Sequence, residues 1–395
     1  MKDLKLTKIE DLRNIDILNL DRRTFLKVVG AVGASIFLGT YKTEIVRGLM
    51  ESSTSTNLIW LEGQDCAGCT ISFLNAEQPD VIQAIMDLNV VPQYWETVMI
   101  QQGLFVDGVP VENADLNANY ALELIKESEK DFVLVVEGAI PRGPDGTGNF
   151  CRVGGEPFKK IIEDLAPHSL ATVAVGSCAS YGGIPAGDPN PSDCSGLQFY
   201  RKEKGGILGE NYRSKAGLPV INLPCCPTHP DWVMSTLAAV ILGKTGDIEL
   251  DEYNRPTAFF GESIHETCPR RGYYEALKFG MEYCLYGLGC KGPFTSAECP
   301  LRLWNNGRNM CTQAGAPCIG CAEPDFPDGK SPFYLPSGAT ATSSVEKPTA
   351  TPVTPTATPT GTPTATEEVA PGFGAAAAVG AGTLAAARYL KDRRE

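Results

Sequence analysis

The chain has 395 residues, 43% of them hydrophobic, which is enough for two compact domains with tails and excludes wholesale disorder. Its net charge of −13 opposes a nucleic-acid role, because phosphate binding needs a basic surface. Fourteen cysteines against three histidines (His168, His229 and His265) exclude histidine-rich metal sites and put any metal chemistry on thiols.

Residues 1–56 read as an export region. The stretch "DRRTFLKVVGAVGASIFLG" sets Arg22 and Arg23 just ahead of a modest apolar run, the arrangement of a twin-arginine signal, with a short buried helix as the competing reading. That route carries folded proteins, so export is compatible with a cofactor inserted beforehand. No clear A-x-A site lies between Leu38 and Asn57 to define a cleavage position.

Residues 57–250 alternate short apolar runs with helical patterns. "NLIWL", "DFVLVVEG", "ATVAVG" and "LPVINLP" read as strands, and "ANYALELIKESEK", "PFKKIIEDLA" and "HPDWVMSTLAAVIL" as helices, which predicts a doubly wound, flavodoxin-like α/β domain with a mostly parallel sheet. Ligands of such sheets bind beyond the carboxyl ends of the strands. Cys66 and Cys69, then Cys178, then Cys225 or Cys226 follow three predicted strands at that end. Alone, "CAGC" fits a dithiol pair, half a zinc site or a disulfide. An all-thiolate zinc site usually comes from two close CxxC pairs, which the scattered Cys178 and Cys226 do not supply. Glycines at 63, 68, 176, 182 and 183 let backbone amides approach a bulkier group, so iron–sulfur ligation is favoured.

In residues 251–336 hydrophobic periodicity survives only over "GYYEALKFGMEYCLY", too little for a conventional core, so metal–ligand bonds are expected to supply stability that burial does not. His265, Cys268, Cys284 and Cys290 offer one imidazole with three thiolates. "CPLRLWNNGRNMCTQAGAPCIGC" adds Cys299, Cys311, Cys318 and Cys321 in a turn-rich segment. Residues 337–368, rich in Thr and Pro, read as an extended linker. Residues 369–395 hold about eighteen weakly apolar residues, near the lower limit for a membrane span, followed by Arg388, Lys391, Arg393 and Arg394. An anchor at the outer face of the cytoplasmic membrane is the expectation, with a surface helix or a buried tail as alternatives.

Between residues 58 and about 327 the motifs "GQDCAGC", "VEGAIP", "GSCASYGG", "LPCCPTHPDW", "HETCPRRG", "YCLYGLGCKGP" and "PCIGCAEPDF", in this order, resemble the small subunit of nickel–iron hydrogenases. The resemblance implies three iron–sulfur clusters beside a separate large subunit that holds the nickel–iron centre. A proximal 4Fe-4S cluster is implied on Cys66, Cys69, Cys178 and Cys226, with Cys225 where the family usually has glycine. A distal 4Fe-4S cluster is implied on His265, Cys268, Cys284 and Cys290; its imidazole makes the site less negative and is expected to raise its potential. Many relatives hold a medial 3Fe-4S cluster on three cysteines, matched by Cys299, Cys318 and Cys321. Here Cys311 replaces the intervening proline, so a medial 4Fe-4S cluster of lower potential is expected, against an unligated Cys311.

Departures from the family accompany these matches. Oxygen-tolerant members carry two more cysteines around the proximal cluster, at the positions of Gly68 and Gly183, which argues against that device here. Ala316 stands in place of a family histidine, and Cys151, Cys194 and Cys225 have no assigned role. Anchored relatives can pass electrons to a membrane cytochrome b. The tail here has no histidine to bind haem, so a cytochrome b or an iron–sulfur protein is open as acceptor. The expected function is electron transfer from hydrogen oxidation at the large subunit to a membrane-associated acceptor, with no catalytic acid, base or nucleophile on this chain. The rivals are a stand-alone exported iron–sulfur carrier and a disulfide-stapled secreted binding protein.

Overall fold

The computed structural model describes residues 55–335, apart from 78, 100–102, 104, 107–108, 114–116 and 128–130. The expected export signal, linker and anchor lie outside the described residues. Among those described, no helix is long and apolar enough to cross a membrane.

Five parallel strands form the central sheet: β1 (Thr56–Glu62), β2 (Val90–Trp95), β3 (Phe132–Glu137), β4 (Ala171–Val175) and β5 (Ile221–Leu223), in the order β5-β4-β3-β1-β2. This is the flavodoxin-like order. β3, "FVLVVE", is buried at every residue, as a parallel strand covered on both faces must be. Alternation divides the core in two. Leu58, Trp60, Val133, Val135 and Val173 face one cluster, while Ile59, Leu61, Leu134, Val136 and Ala174 face the other.

The helices are α1 (Gly68–Leu74), α2 (Val81–Asp87), α3 (Ala118–Glu127), α4 (Phe158–Leu165), α5 (Gly176–Tyr181) and α6 (Pro230–Ile241). In α4, Phe158, Ile161, Ile162 and Leu165 bury one stripe at the helical period, while Lys160 and Glu163 face outward. α6 is buried over most of its length and starts with Pro230 after His229, whose Nδ1 accepts the Asp231 N–H at 3.1 Å.

Four segments depart from the sequence expectation. β2 is a strand although Pro92 interrupts its apolar run; it lies at the sheet edge, where a missing ladder donor is tolerated. The short helices α1 and α2 are likewise additions to the expected pattern. The periodic stretch 272–286 forms no α-helix: Tyr273, Tyr274, Leu277 and Phe279 face outward, while Ala276, Cys284 and Leu285 are buried.

Beyond residue 250 the regular elements shrink to four-residue helices, α7 (Thr257–Phe260), α8 (Ile264–Thr267) and α9 (Cys299–Arg302), with isolated bridges such as Glu275 to Cys284. This part joins the apolar cluster on one face of the sheet. The cluster that holds Trp60 and Val135 continues through Trp232 to Phe259, Phe260, Cys290, Cys299 and Cys318.

Candidate metal centres

Cys66 and Cys69 follow β1, Cys178 lies on α5 after β4, and Cys226 follows β5. The strand order puts β3 between these suppliers, and its last residue, Glu137, reaches the CxxC turn. The Glu137 carboxylate accepts N–H bonds from Cys69 and Thr70, each 2.9 Å, the Thr70 hydroxyl at 2.6 Å and Trp60 Nε1 at 3.2 Å. Burial nevertheless pushes its pKa up, against the pull of the Thr70 hydrogen bonds. Glu137 is a positioning residue that sequence reasoning misses; its motif, "VEGAIP", signals only the family resemblance.

The four thiols share one electrostatic neighbourhood. Burial, followed by Cys226 and Cys66, pushes Cys178 up to about 12. Burial, then Cys321 and Cys66, pushes Cys226 to about 11. Cys69 stands well above the usual thiol range through burial first and Glu137 second, with Cys178 and Cys226 adding to it. Gly176 has φ +88°, and a Cβ there would lie 2.5 Å from Cys69 Sγ, so only glycine fits. A Cβ at Gly68 or Gly183 would stand 3.0 Å from Cys66 Sγ or 2.9 Å from Cys178 Sγ, so both positions face this set.

The second set lies on the irregular segment. Cys299 opens α9, and with Cys311, Cys318 and Cys321 it lines a cavity of about 320 Å3 shared with Ile264, Met310 and Ile319. Burial, with Cys321 and Cys299 nearby, pushes Cys311 to about 11. Backbone N–H groups serve the sulfurs: Gly320 donates to Cys318 Sγ at 3.4 Å and Cys318 to Cys290 Sγ at 3.3 Å. Cys225, left without a role by the sequence, enters this site with its Sγ 3.2 Å from Cys321 Sγ. The contact with Cys225 draws the Cys321 pKa down.

In the third set, His265 is half-buried on α8 and Cys268 closes that helix, its N–H donating to the His265 carbonyl at 3.4 Å. Burial raises the Cys290 pKa, with smaller contributions from Cys268 and Cys284 close by. A Cβ at Gly292 would lie 3.4 Å from Cys290 Sγ and 3.8 Å from His265 N, which puts that backbone beside the same thiol.

Among the described residues no three His, Cys, Asp or Glu side chains are arranged to hold a single metal ion. Soft thiolates around a roomy cavity, with amide N–H groups aimed at sulfur, fit an iron–sulfur cluster better than one zinc ion. The other histidine in a sequence motif is structural. His229 Nε2 donates to the Leu303 carbonyl at 2.6 Å, and its ring packs on Trp232 and Trp304. Cys194 is buried and donates to Gln64 Oε1 at 2.9 Å.

A flavodoxin-like sheet with thiols beyond its strand ends, continued by a thiol-lined irregular region, marks an α/β electron-transfer protein. Two family descriptions match the chain: "NADH ubiquinone oxidoreductase, 20 Kd subunit" over residues 66–240, and the C-terminal part of the "NiFe/NiFeSe hydrogenase small subunit" over residues 260–334. The chain is 46% identical over 351 residues to the F420 non-reducing hydrogenase II small subunit of Methanosarcina mazei, covering 85% of this chain and 88% of the relative. It is 38% identical to the periplasmic [NiFeSe] hydrogenase small subunit of Desulfomicrobium baculatum over 80% of this chain and 99% of the relative. The solved structure of a reduced, active Ni-Fe-Se hydrogenase from that organism superposes with a TM-score of 0.60 at 38% identity, over 72% of this chain and 100% of that one. The chain belongs to the nickel–iron hydrogenase small-subunit family, whose members carry iron–sulfur clusters and transfer electrons in partnership with a large subunit.

Proposed function

We propose that the chain holds three clusters in series: a proximal 4Fe-4S cluster on Cys66, Cys69, Cys178 and Cys226, a medial 4Fe-4S cluster on Cys299, Cys311, Cys318 and Cys321, and a distal 4Fe-4S cluster on His265, Cys268, Cys284 and Cys290. The observation that carries this order is that the middle set touches both others. Cys318 N–H bonds Cys290 Sγ at 3.3 Å on one side, and Cys226 lines the same cavity as the middle set on the other. When bound, the clusters supply one-electron redox steps. The protein holds the ligands, aims N–H groups at their sulfurs and keeps water from the buried thiols.

The proximal end lies against the large subunit in this reading. Cys66 is exposed there, beside a groove of about 600 Å3 lined by Gly68, Ile71, Pro227 and Leu301. Ile71 and Leu301 expose 54% and 63% of their surface, apolar area suited to a permanent partner. Electrons from hydrogen oxidation leave through the distal end to a membrane-associated acceptor, a cytochrome b or an iron–sulfur protein, at the outer face of the cytoplasmic membrane. The twin-arginine motif and the basic C-terminal tail support that location.

Electron paramagnetic resonance of the anaerobically purified heterodimer, oxidised and then reduced under hydrogen, tests the assignment. Three 4Fe-4S clusters predict no strong 3Fe-4S signal when oxidised and cubane signals under hydrogen. Replacing Cys311 by proline should then produce the 3Fe-4S signal in a folded protein. A strong 3Fe-4S signal in the undamaged parent protein would remove Cys311 from the ligand set.

A further inference from the structure

Cys225 sits between the proximal and medial sets in a costly conformation. Its φ of +139° belongs to a region that side chains rarely adopt, so a glycine would be the cheaper choice. The backbone is held there by Ser177, which accepts the Cys225 N–H on its hydroxyl at 3.0 Å and donates its own N–H to the Cys225 carbonyl at 3.1 Å. The same hydroxyl donates to the Cys321 carbonyl, so one serine binds Cys225 and Cys321 together. Cys225 is 3% exposed and its Sγ ends 3.2 Å from Cys321 Sγ, at a cavity also lined by Cys226 and the four medial candidates.

We propose that Cys225 is a positioning residue for the medial centre: its S–H donates a hydrogen bond to the ligand sulfur of Cys321 and raises the potential at which that centre takes up an electron. The inference rests on the medial assignment above. As an iron ligand Cys321 is a thiolate with no proton to give, so the single proton of the contacting pair belongs to Cys225. Reduction adds negative charge that ligand sulfurs share, and a buried donor aimed at one of them stabilises the reduced state. The donor thus opposes the lower potential expected from the fourth thiolate, Cys311.

The test is a redox titration of the purified heterodimer followed by electron paramagnetic resonance, with iron counted per heterodimer, for the parent protein, Cys225→Gly and Cys225→Ser. Glycine accepts the backbone conformation, so folding should survive. The expected result is full iron in both variants, with a downward shift of the medial midpoint in Cys225→Gly. A tenfold change in the reduced-to-oxidised ratio at fixed potential would read as about 59 mV for a one-electron couple. Cys225→Ser retains a hydroxyl donor and should stay near the parent value. An unchanged medial midpoint in fully loaded Cys225→Gly would overturn the donor role, and loss of iron from its medial centre would make Cys225 a ligand instead. A parent protein with no medial cluster would overturn the underlying assignment, a result distinct from either.

Discussion

Residues 56–242 and 251–335 are built from the same chain by different means. The first region buries Leu134, Val135, Val136 and their neighbours completely between helices, and its order comes from apolar area and backbone ladders. The second has helices of four residues and isolated bridges, and its buried side chains include Cys284, Cys290, Cys299 and Cys318. Leu277 and Tyr273, which a conventional core would bury, are 86% and 103% exposed. The second region shares the apolar cluster on one face of the sheet, and the proposed metal ligands are among its buried side chains.

The comparison breaks most directly if the metal is removed. Stripping iron from the anaerobic heterodimer should abolish hydrogen-exchange protection across residues 260–334 while β3 and β4 keep theirs. Equal protection in both regions after iron loss would show that the second region folds by packing alone. The reverse perturbation is Leu134→Ala, which opens a cavity in a fully buried strand. It should cost about 2–5 kcal/mol in chemical denaturation of the sheet, with the cluster spectra of the folded fraction unchanged. A spectral change of the size produced by ligand substitution would mean that the regions are not separable.

A smaller effect sharpens the electrostatics at the strand ends. Burial, reinforced by Glu62, raises Glu96 to about 8, and its Oε1 has no hydrogen-bond partner among the described residues. A raised carboxyl pKa adds stability that is complete below the unfolded value near 4.5 and is lost as pH climbs through about 8. Glu96→Gln should therefore raise the melting temperature at pH 8 relative to the parent and give no such gain at pH 4.5. The same difference at both pH values would refute burial as the cause.

Much of the site was legible because ligand chemistry leaves residues that cannot be exchanged. Cysteines after "NLIWL", "ATVAVG" and "LPVINLP" mark strand ends, and parallel topology brings such ends together. Glu137 was not legible as a site residue: a glutamate ending a strand has no local sign that it will meet a turn 67 residues away, at Thr70. Nor was Cys225, which beside Cys226 reads as a spare thiol until the fold sets Cys321 against it, 96 residues on.

By itself the sequence determined the α/β class, the parallel sheet, the strand-end thiols and the poverty of regular structure after residue 250. These follow from local periodicity and composition, which each segment carries alone. Only the tertiary structure decided that Pro92 lies in an edge strand, that Tyr273, Tyr274, Leu277 and Phe279 face outward, that Glu137 meets the Cys69 and Thr70 N–H groups, and that Cys225 meets Cys321. Those outcomes depend on which distant segments occupy the space around a residue, and such neighbours are chosen by packing the whole chain.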